Sequence, residues 1–139
     1  MEPEEINFEV IKEVWNEYNL EDNSILKVKI VLIRVLKEIT DQKGNPRFGF
    51  LTSNVIGVIP SKDILGSTEL SPIEDMKFDK IKDIEWNEYK IDKDKLLMIQ
   101  PIISEVNRTN KRDPRRDPIY VANVQSSIKI KKLPRELKN

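Results

Sequence analysis

The densest run of charge in the sequence is Asn107-Arg108-Thr109-Asn110-Lys111-Arg112-Asp113-Pro114-Arg115-Arg116-Asp117-Pro118, with five basic residues. Lys129, Lys131, Lys132 and Arg135 follow it. Guanidinium and ammonium groups neutralise phosphates, and small β-barrels bind nucleic acid through one face and its loops. If the strand beginning near Pro118 folds back on the one before it, these charges would share one surface. Arg108, Lys111, Arg112, Arg115, Arg116, Lys129, Lys131 and Lys132 are therefore the candidate nucleic-acid contacts. Against this, Asp113 and Asp117 dilute the patch, and a sequence pI near 6.4 is far from the basic footprint of most such binders. The competing reading is a solvated loop whose arginines pair with those aspartates.

Two glutamates invite a catalytic reading. Trp15-Asn16-Glu17-Tyr18 recurs exactly as Trp86-Asn87-Glu88-Tyr89, so Glu17 and Glu88 occupy equivalent positions. Paired carboxylates perform acid–base chemistry when their surroundings split their pKa values. A packing role for this element, with Asn and Glu capping or exposed, is the simpler expectation. Asp22, Asp41, Asp92 and Asp94 fall in turn-like segments without the spacing of a calcium loop, so no metal is expected.

The chain lacks the usual catalytic groups. It has no cysteine, which excludes disulfides, thiolate metal sites and Cys nucleophiles. It has no histidine, which removes the commonest general base and transition-metal ligand. No catalytic residue, cofactor or metal is assigned, and a non-enzymatic role is expected.

The elements that would carry these residues are defined by repetition. Around the Trp-Asn-Glu-Tyr anchor, Phe8 matches Phe78, Leu20 matches Ile91, Ile25-Leu26 matches Leu96-Leu97, Val28 matches Ile99, and Val35 matches Val106. Pro46-Arg47-Phe48 then matches Pro118-Ile119-Tyr120, and Ile56-Gly57-Val58 matches Ile128-Lys129-Ile130. Each copy ends in a proline and a helix-like tail, Pro60 to Leu65 and Pro134 to Leu137. The chain thus reads as a tandem duplication of a module of about 65 residues, at 1–65 and 73–139, joined by a connector at 66–72. Phe8, Trp15, Tyr18, Phe48, Phe78, Trp86, Tyr89 and Tyr120 form four matched pairs, which packing explains better than a single active site; only Phe50 is unmatched.

Within each copy the pattern is β. Ile25, Val28, Ile30, Val31, Ile33 and Val35 are β-branched, a strand preference, and the matching stretch contains Pro101, which would break a helix. Long strands are expected at 24–38 and 95–108. A hairpin is expected around 20–24, returning strands at 48–59 and 123–130, and a strand within 6–18. The fold class is all-β (mainly β): two small barrel-like modules of the SH3 or OB kind, each ending in a short helical turn, related by a pseudo-twofold axis and packed as one unit. A lone module of this size is marginal, and a shared interface relieves that.

Net charge is zero but uneven: residues 1–70 carry 8 basic and 12 acidic residues, a net of −4, and residues 71–139 carry 16 and 12, a net of +4. Opposite halves attract within a chain or between chains. Lys27, Lys29, Lys129 and Lys131 are candidates for guarding strand edges. No apolar run reaches the ~20 residues of a membrane helix, and the acidic start, Met1-Glu2-Pro3-Glu4-Glu5, does not resemble a signal peptide. The expectation is a soluble cytoplasmic binding or assembly module with a protein partner or a second copy of itself, without membrane contact. Nucleic-acid binding through the basic stretch is the alternative.

Overall fold

The computed structural model describes residues 2–39, 43–65 and 69–134. Its elements are β1 (Glu4–Ile6), β2 (Phe8–Lys12), β3 (Asn16–Leu20), β4 (Ile25–Ile39), β5 (Pro46–Ile59), α1 (Lys62–Leu65), β6 (Phe78–Lys80), β7 (Asn87–Ile91), β8 (Lys95–Arg112) and β9 (Pro118–Lys132). The protein is mainly β, as its β-branched runs predict. The first helical tail forms as α1. The second lies outside the described residues from 135 onward, as do 40–42 of the expected turn and 66–68 of the connector.

The strands form two antiparallel sheets. In the first, β4 pairs with β5 on one side, and with β3 and then β1 on the other; β6 adds beyond β3. The second runs β2-β7-β8-β9. Neither sheet closes on itself, so the barrel expected of each copy is not what forms. The inner faces are instead covered by the opposing sheet.

Two strands sit in sheets built mainly by the other half of the chain. β2 pairs with β7, placing Phe8 opposite Ile91 and Val10 opposite Tyr89. β6 pairs with β3, placing Phe78 opposite Leu20 and Lys80 opposite Tyr18. Phe8 and Phe78 are sequence-matched, as are Ile91 and Leu20, so the two registers are the same. The ring contacts are alike: Phe8 meets Tyr89 edge-on at 5.9 Å and Phe78 meets Tyr18 edge-on at 6.2 Å.

The core follows this exchange. One cluster joins Ile30, Leu32 and Val35 of β4 to Tyr89, Ile91, Leu97 and Ile99, with Ile6, Phe8, Phe48 and Phe50 packed against it. The other joins Tyr18, Leu20, Leu26 and Val28 to Met76 and Val106, with Phe78, Ile103 and Tyr120 around it. Each long strand therefore contributes one end to each cluster. Burial alternates along β4 at Leu26, Val28, Ile30 and Leu32, then resumes at Val35 after an irregularity between Leu32 and Arg34. Each such side chain contributes about 1.5–3 kcal/mol on burial.

Pro101 sits inside β8 without breaking it. β7 covers only Lys95 to Ile99, so beyond that point one side of β8 needs no ladder donor, and Pro101 keeps its place opposite Ser126 of β9. β8 also runs to Arg112, further than the 95–108 expected. Asp113 N donates to Asp117 O at 2.8 Å and Arg116 N to Asp113 O at 2.8 Å. This closes a tight turn with Arg116 at φ 71°, so half of the expected basic loop is strand.

Candidate interaction surfaces

The Asn-Glu-Tyr parts of the repeated tetrapeptides lie on β3 and β7, each Trp just ahead of its strand, and period-2 geometry splits the strand side chains between faces. Asn16, Tyr18, Asn87 and Tyr89 are buried, while Glu17 and Glu88 point to the outer faces of different sheets. Glu17 stands opposite Lys27, and Glu88 opposite Met98 and Lys12. The two carboxylates share no site. The asparagines, expected at caps or on the surface, are buried ties between the halves. Asn16 Nδ2 donates to Glu85 O at 3.1 Å, and its Oδ1 accepts from Glu85 N at 2.9 Å. Asn87 Oδ1 accepts from Val14 N at 2.9 Å; its Nδ2 donates to Ile30 O at 2.6 Å and to Tyr89 Oη at 3.2 Å. Their recurrence in the two identical tetrapeptides was the available signal. Trp15 lies half-exposed on the outer face, with Lys27 Nζ 4.7 Å and Lys29 Nζ 5.7 Å from its ring centroid. Those two lysines cover a ring; Lys27 sits between Glu17 of β3 and Gly57 of β5, and Lys29 opposite Val55 of β5, one residue beyond the last β3 pair.

A second pair of ties joins the ends of the long strands. Lys37 Nζ meets Asp92 Oδ2 at 2.7 Å, and Arg108 Nη1 meets Asp22 Oδ2 at 3.2 Å. Lys37 and Arg108 each lie two residues beyond the matched Val35 and Val106. The Lys37 ammonium holds the Asp92 carboxyl below its ordinary range, against the opposing effect of burial. The Arg108 end is the more elaborate. Asp22 also accepts from Tyr120 Oη at 2.6 Å and from Ser24 N at 3.0 Å. Ser24 Oγ lies 3.1 Å from Tyr120 Oη and accepts from Ser61 N at 3.0 Å. Phe48, matched to Tyr120 in sequence, carries no hydroxyl, so the Lys37 end lacks this group. The Arg108 and Asp22 side chains are only 10% and 4% exposed.

Arg108 is therefore committed to an internal carboxylate, and it also donates from Nε and Nη2 to Ser71 O. It is not placed to meet a phosphate. Arg112 donates to Arg116 O at 2.9 Å and reaches Ile64 O at 3.5 Å. Lys111, Arg115 and Arg116 are exposed around the turn. Asp113, expected to pair with arginine side chains, instead accepts the backbone N–H groups of Arg115 and Asp117, both at 2.9 Å. Lys129, Lys131 and Lys132 are exposed near the far end of β9, opposite Met98, Leu96 and Lys95. β9 does fold back on β8, but antiparallel pairing puts the two basic groups at opposite ends of the hairpin, roughly 35 Å apart at the rise of a strand. They do not form one surface. Beside the turn end lies a surface depression of about 560 Å³ lined by Glu74 and Glu105 as well as Arg108. Of the aspartates in turn-like segments, Asp22 and Asp92 are ion-paired, Asp94 accepts Leu133 N through its backbone O, and Asp41 lies outside the described residues. Among the described residues no group of three or more His, Cys, Asp or Glu could hold a metal ion, and no helix is long and apolar enough to cross a membrane.

The most extended accessible features are β5 and β9. Among the described residues each pairs on one side only, β5 with β4 and β9 with β8. They approach where Asn54 Nδ2 donates to Val124 O at 3.3 Å. From Phe48 to Ile59, and from Pro118 to Ile128, neither contains a charged residue. Leu51, Val55, Ile59, Val121 and Ile128 are exposed along them. Lys129 and Lys131 guard only the end of β9, and long edges are ordinarily protected by charge, proline or bulges.

Tyr120 provides a check on the buried polar cluster. Burial and the Asp22 carboxylate push its hydroxyl up to about 12. Tyr89 and Tyr18 are also raised, by burial first and, for Tyr89, by Glu13. A phenol with a folded pKa above its unfolded value near 10 stabilises the fold below pH 10. That stability is lost as pH rises toward 12. Absorbance titration should show no phenolate formation in the native protein near pH 10, then ionisation together with unfolding; independent ionisation of all three tyrosines near pH 10 in the folded state would contradict the packing. No protein-family model matches the chain, and no curated protein or solved structure matches it either.

Proposed function

We propose that the chain is a non-enzymatic binding or assembly module that engages a protein partner, or another copy of itself, through the free edges of its two long hairpins. The observation that carries this reading is the pair of edge strands β5 and β9, each containing a run of more than ten uncharged residues and each bearing exposed aliphatic side chains. An extended segment adding to such an edge gains backbone hydrogen bonds along its length and side-chain contacts at alternate positions. The same reading takes the chain as two copies of a module of about 65 residues related by a pseudo-twofold axis. Its support is the matched registers of β2 on β7 and β6 on β3. A cytoplasmic setting belongs to the proposal.

The test uses the full chain, immobilised, against lysate, with hydrogen exchange on any complex recovered. A specific partner should slow exchange at β5 or β9, and Val55→Lys with Val121→Lys should reduce its capture about tenfold or more, because a lysine must be desolvated at each edge. Partners that bind this variant as well as the parent would overturn the edge reading. Nucleic acid is the second reading, favoured by the exposed Lys111, Arg115 and Arg116 at the hairpin turn. It requires binding that weakens steeply between about 50 and 200 mM salt and falls on replacing Arg112, Arg115 and Arg116 with Ser.

A further inference from the structure

We propose that the protein forms a twofold dimer in which the β5 edge of one molecule pairs antiparallel with the β5 edge of a second copy, centred on Ser53. This rests on the binding-module reading and names its partner and its surface.

Strand β5 is self-complementary in that register. A twofold axis through Ser53 sets each residue opposite the one equally far on the other side, which keeps both members of a pair on the same sheet face. On the outer face Leu51 then meets Val55 of the second copy, and Val55 meets its Leu51. Both are exposed in the single chain, at 51% and 42%. On the inner face Thr52 meets Asn54, whose side chain also reaches Val124 O of its own β9, Phe50 meets Ile56, itself 42% exposed, and Phe48 meets Val58. Gly49 meets Gly57. The only charge in the paired span, Arg47, lies opposite Ile59. Each direct apolar cross-strand pair is favourable, and no like charges are opposed.

The other edge pairings match less well. Antiparallel pairing of β9 with itself about Gln125 sets Lys129 against Val121 and Lys131 against Ile119, with Asn123 against Ser127 on the same face. Pairing β5 with β9 of a second copy opposes Arg47 to Lys131 and sets Leu51 and Val55 against Ser127 and Asn123. That arrangement is also head-to-tail and leaves open ends, which builds filaments. The β5–β5 arrangement is isologous and stops at two.

Sedimentation velocity of the full chain, from micromolar to hundreds of micromolar, tests this with two variants at the exposed outer positions. L51K/V55K opposes lysine to lysine twice across the axis and should weaken the dimer by about thirtyfold or more. L51K/V55E opposes lysine to glutamate twice and should restore association to within several-fold of the parent. Circular dichroism confirms that each variant is folded. A parent chain that stays monomeric throughout overturns the dimer; the binding-module reading then stands if lysate capture depends on the same edge, and falls with it if capture does not. A dimer that survives L51K/V55K, or an association that grows without limit, also overturns the β5–β5 assignment.

Discussion

Replacing Asp22 with alanine should destabilise the protein by about 3–5 kcal/mol, because it strands a positive charge inside the fold. Arg108 is nine-tenths buried on its ion pair, and its remaining partner is Ser71 O. The same substitution removes the acceptor of the Tyr120 hydroxyl and of Ser24 N. Denaturant midpoints at constant slope provide the readout. Removing both charges, as Asp22→Leu with Arg108→Met, should recover much of the loss, since well-packed apolar replacements of buried pairs are often neutral. Lys37→Met at the equivalent tie should cost far less, because Lys37 and Asp92 are 28% and 23% exposed and solvent screens them. Equal costs at the two ends would contradict the asymmetry described.

Asn87→Ala should cost about 3–5 kcal/mol, and more than Asn16→Ala. Asn87 satisfies Val14 N, Ile30 O and the Tyr89 hydroxyl, and Tyr89 in turn donates to Glu13 at 2.7 Å. Truncation leaves buried polar groups unpaired at about 1–3 kcal/mol each, with a cavity beside a fully buried ring. Among the described residues Asn16 ties only to the backbone of Glu85, so its loss should cost about 2 kcal/mol. Asn87→Asp should also be damaging, because a carboxylate cannot donate to Ile30 O. A folded Asn87→Ala protein within 1 kcal/mol of the parent, about the worth of a single ordinary hydrogen bond, would show that the buried network carries little of the stability.

The long strands were legible because β-branched residues crowd 25–35 and because the matching stretch from Leu96 to Val106 repeats the pattern; 24–38 was expected and Ile25–Ile39 found. Among the matched aromatics, Phe8 packs on Tyr89 and Phe78 on Tyr18. The exchange of β2 and β6 was not legible, for a definite reason. Phe8 would meet a large aliphatic residue beside either Leu20 or Ile91, so strand-pairing chemistry is nearly the same in both arrangements. Arg108 was misread because its neighbours in sequence are basic while its partner, Asp22, is 86 positions away. Pattern reading sees a local charge run and not a distant carboxylate. The free edges are visible in sequence only as uncharged stretches, which buried strands share; pairing on one side alone distinguishes them.

The crossed placement of β2 and β6 also sets an order of events during synthesis. Ribosomes add roughly 5–20 residues per second, and Phe8 has no partner until Ile91 has left the exit tunnel. The first seventy residues therefore cannot finish either core, since each needs side chains from both ends of the chain. During that interval the nascent β4–β5 hairpin shows water its uncharged margin and its unfinished inner face together. Folding is then one late, cooperative step with high contact order, and cell yield should depend on elongation rate and chaperone supply more strongly than the small size of the chain would suggest.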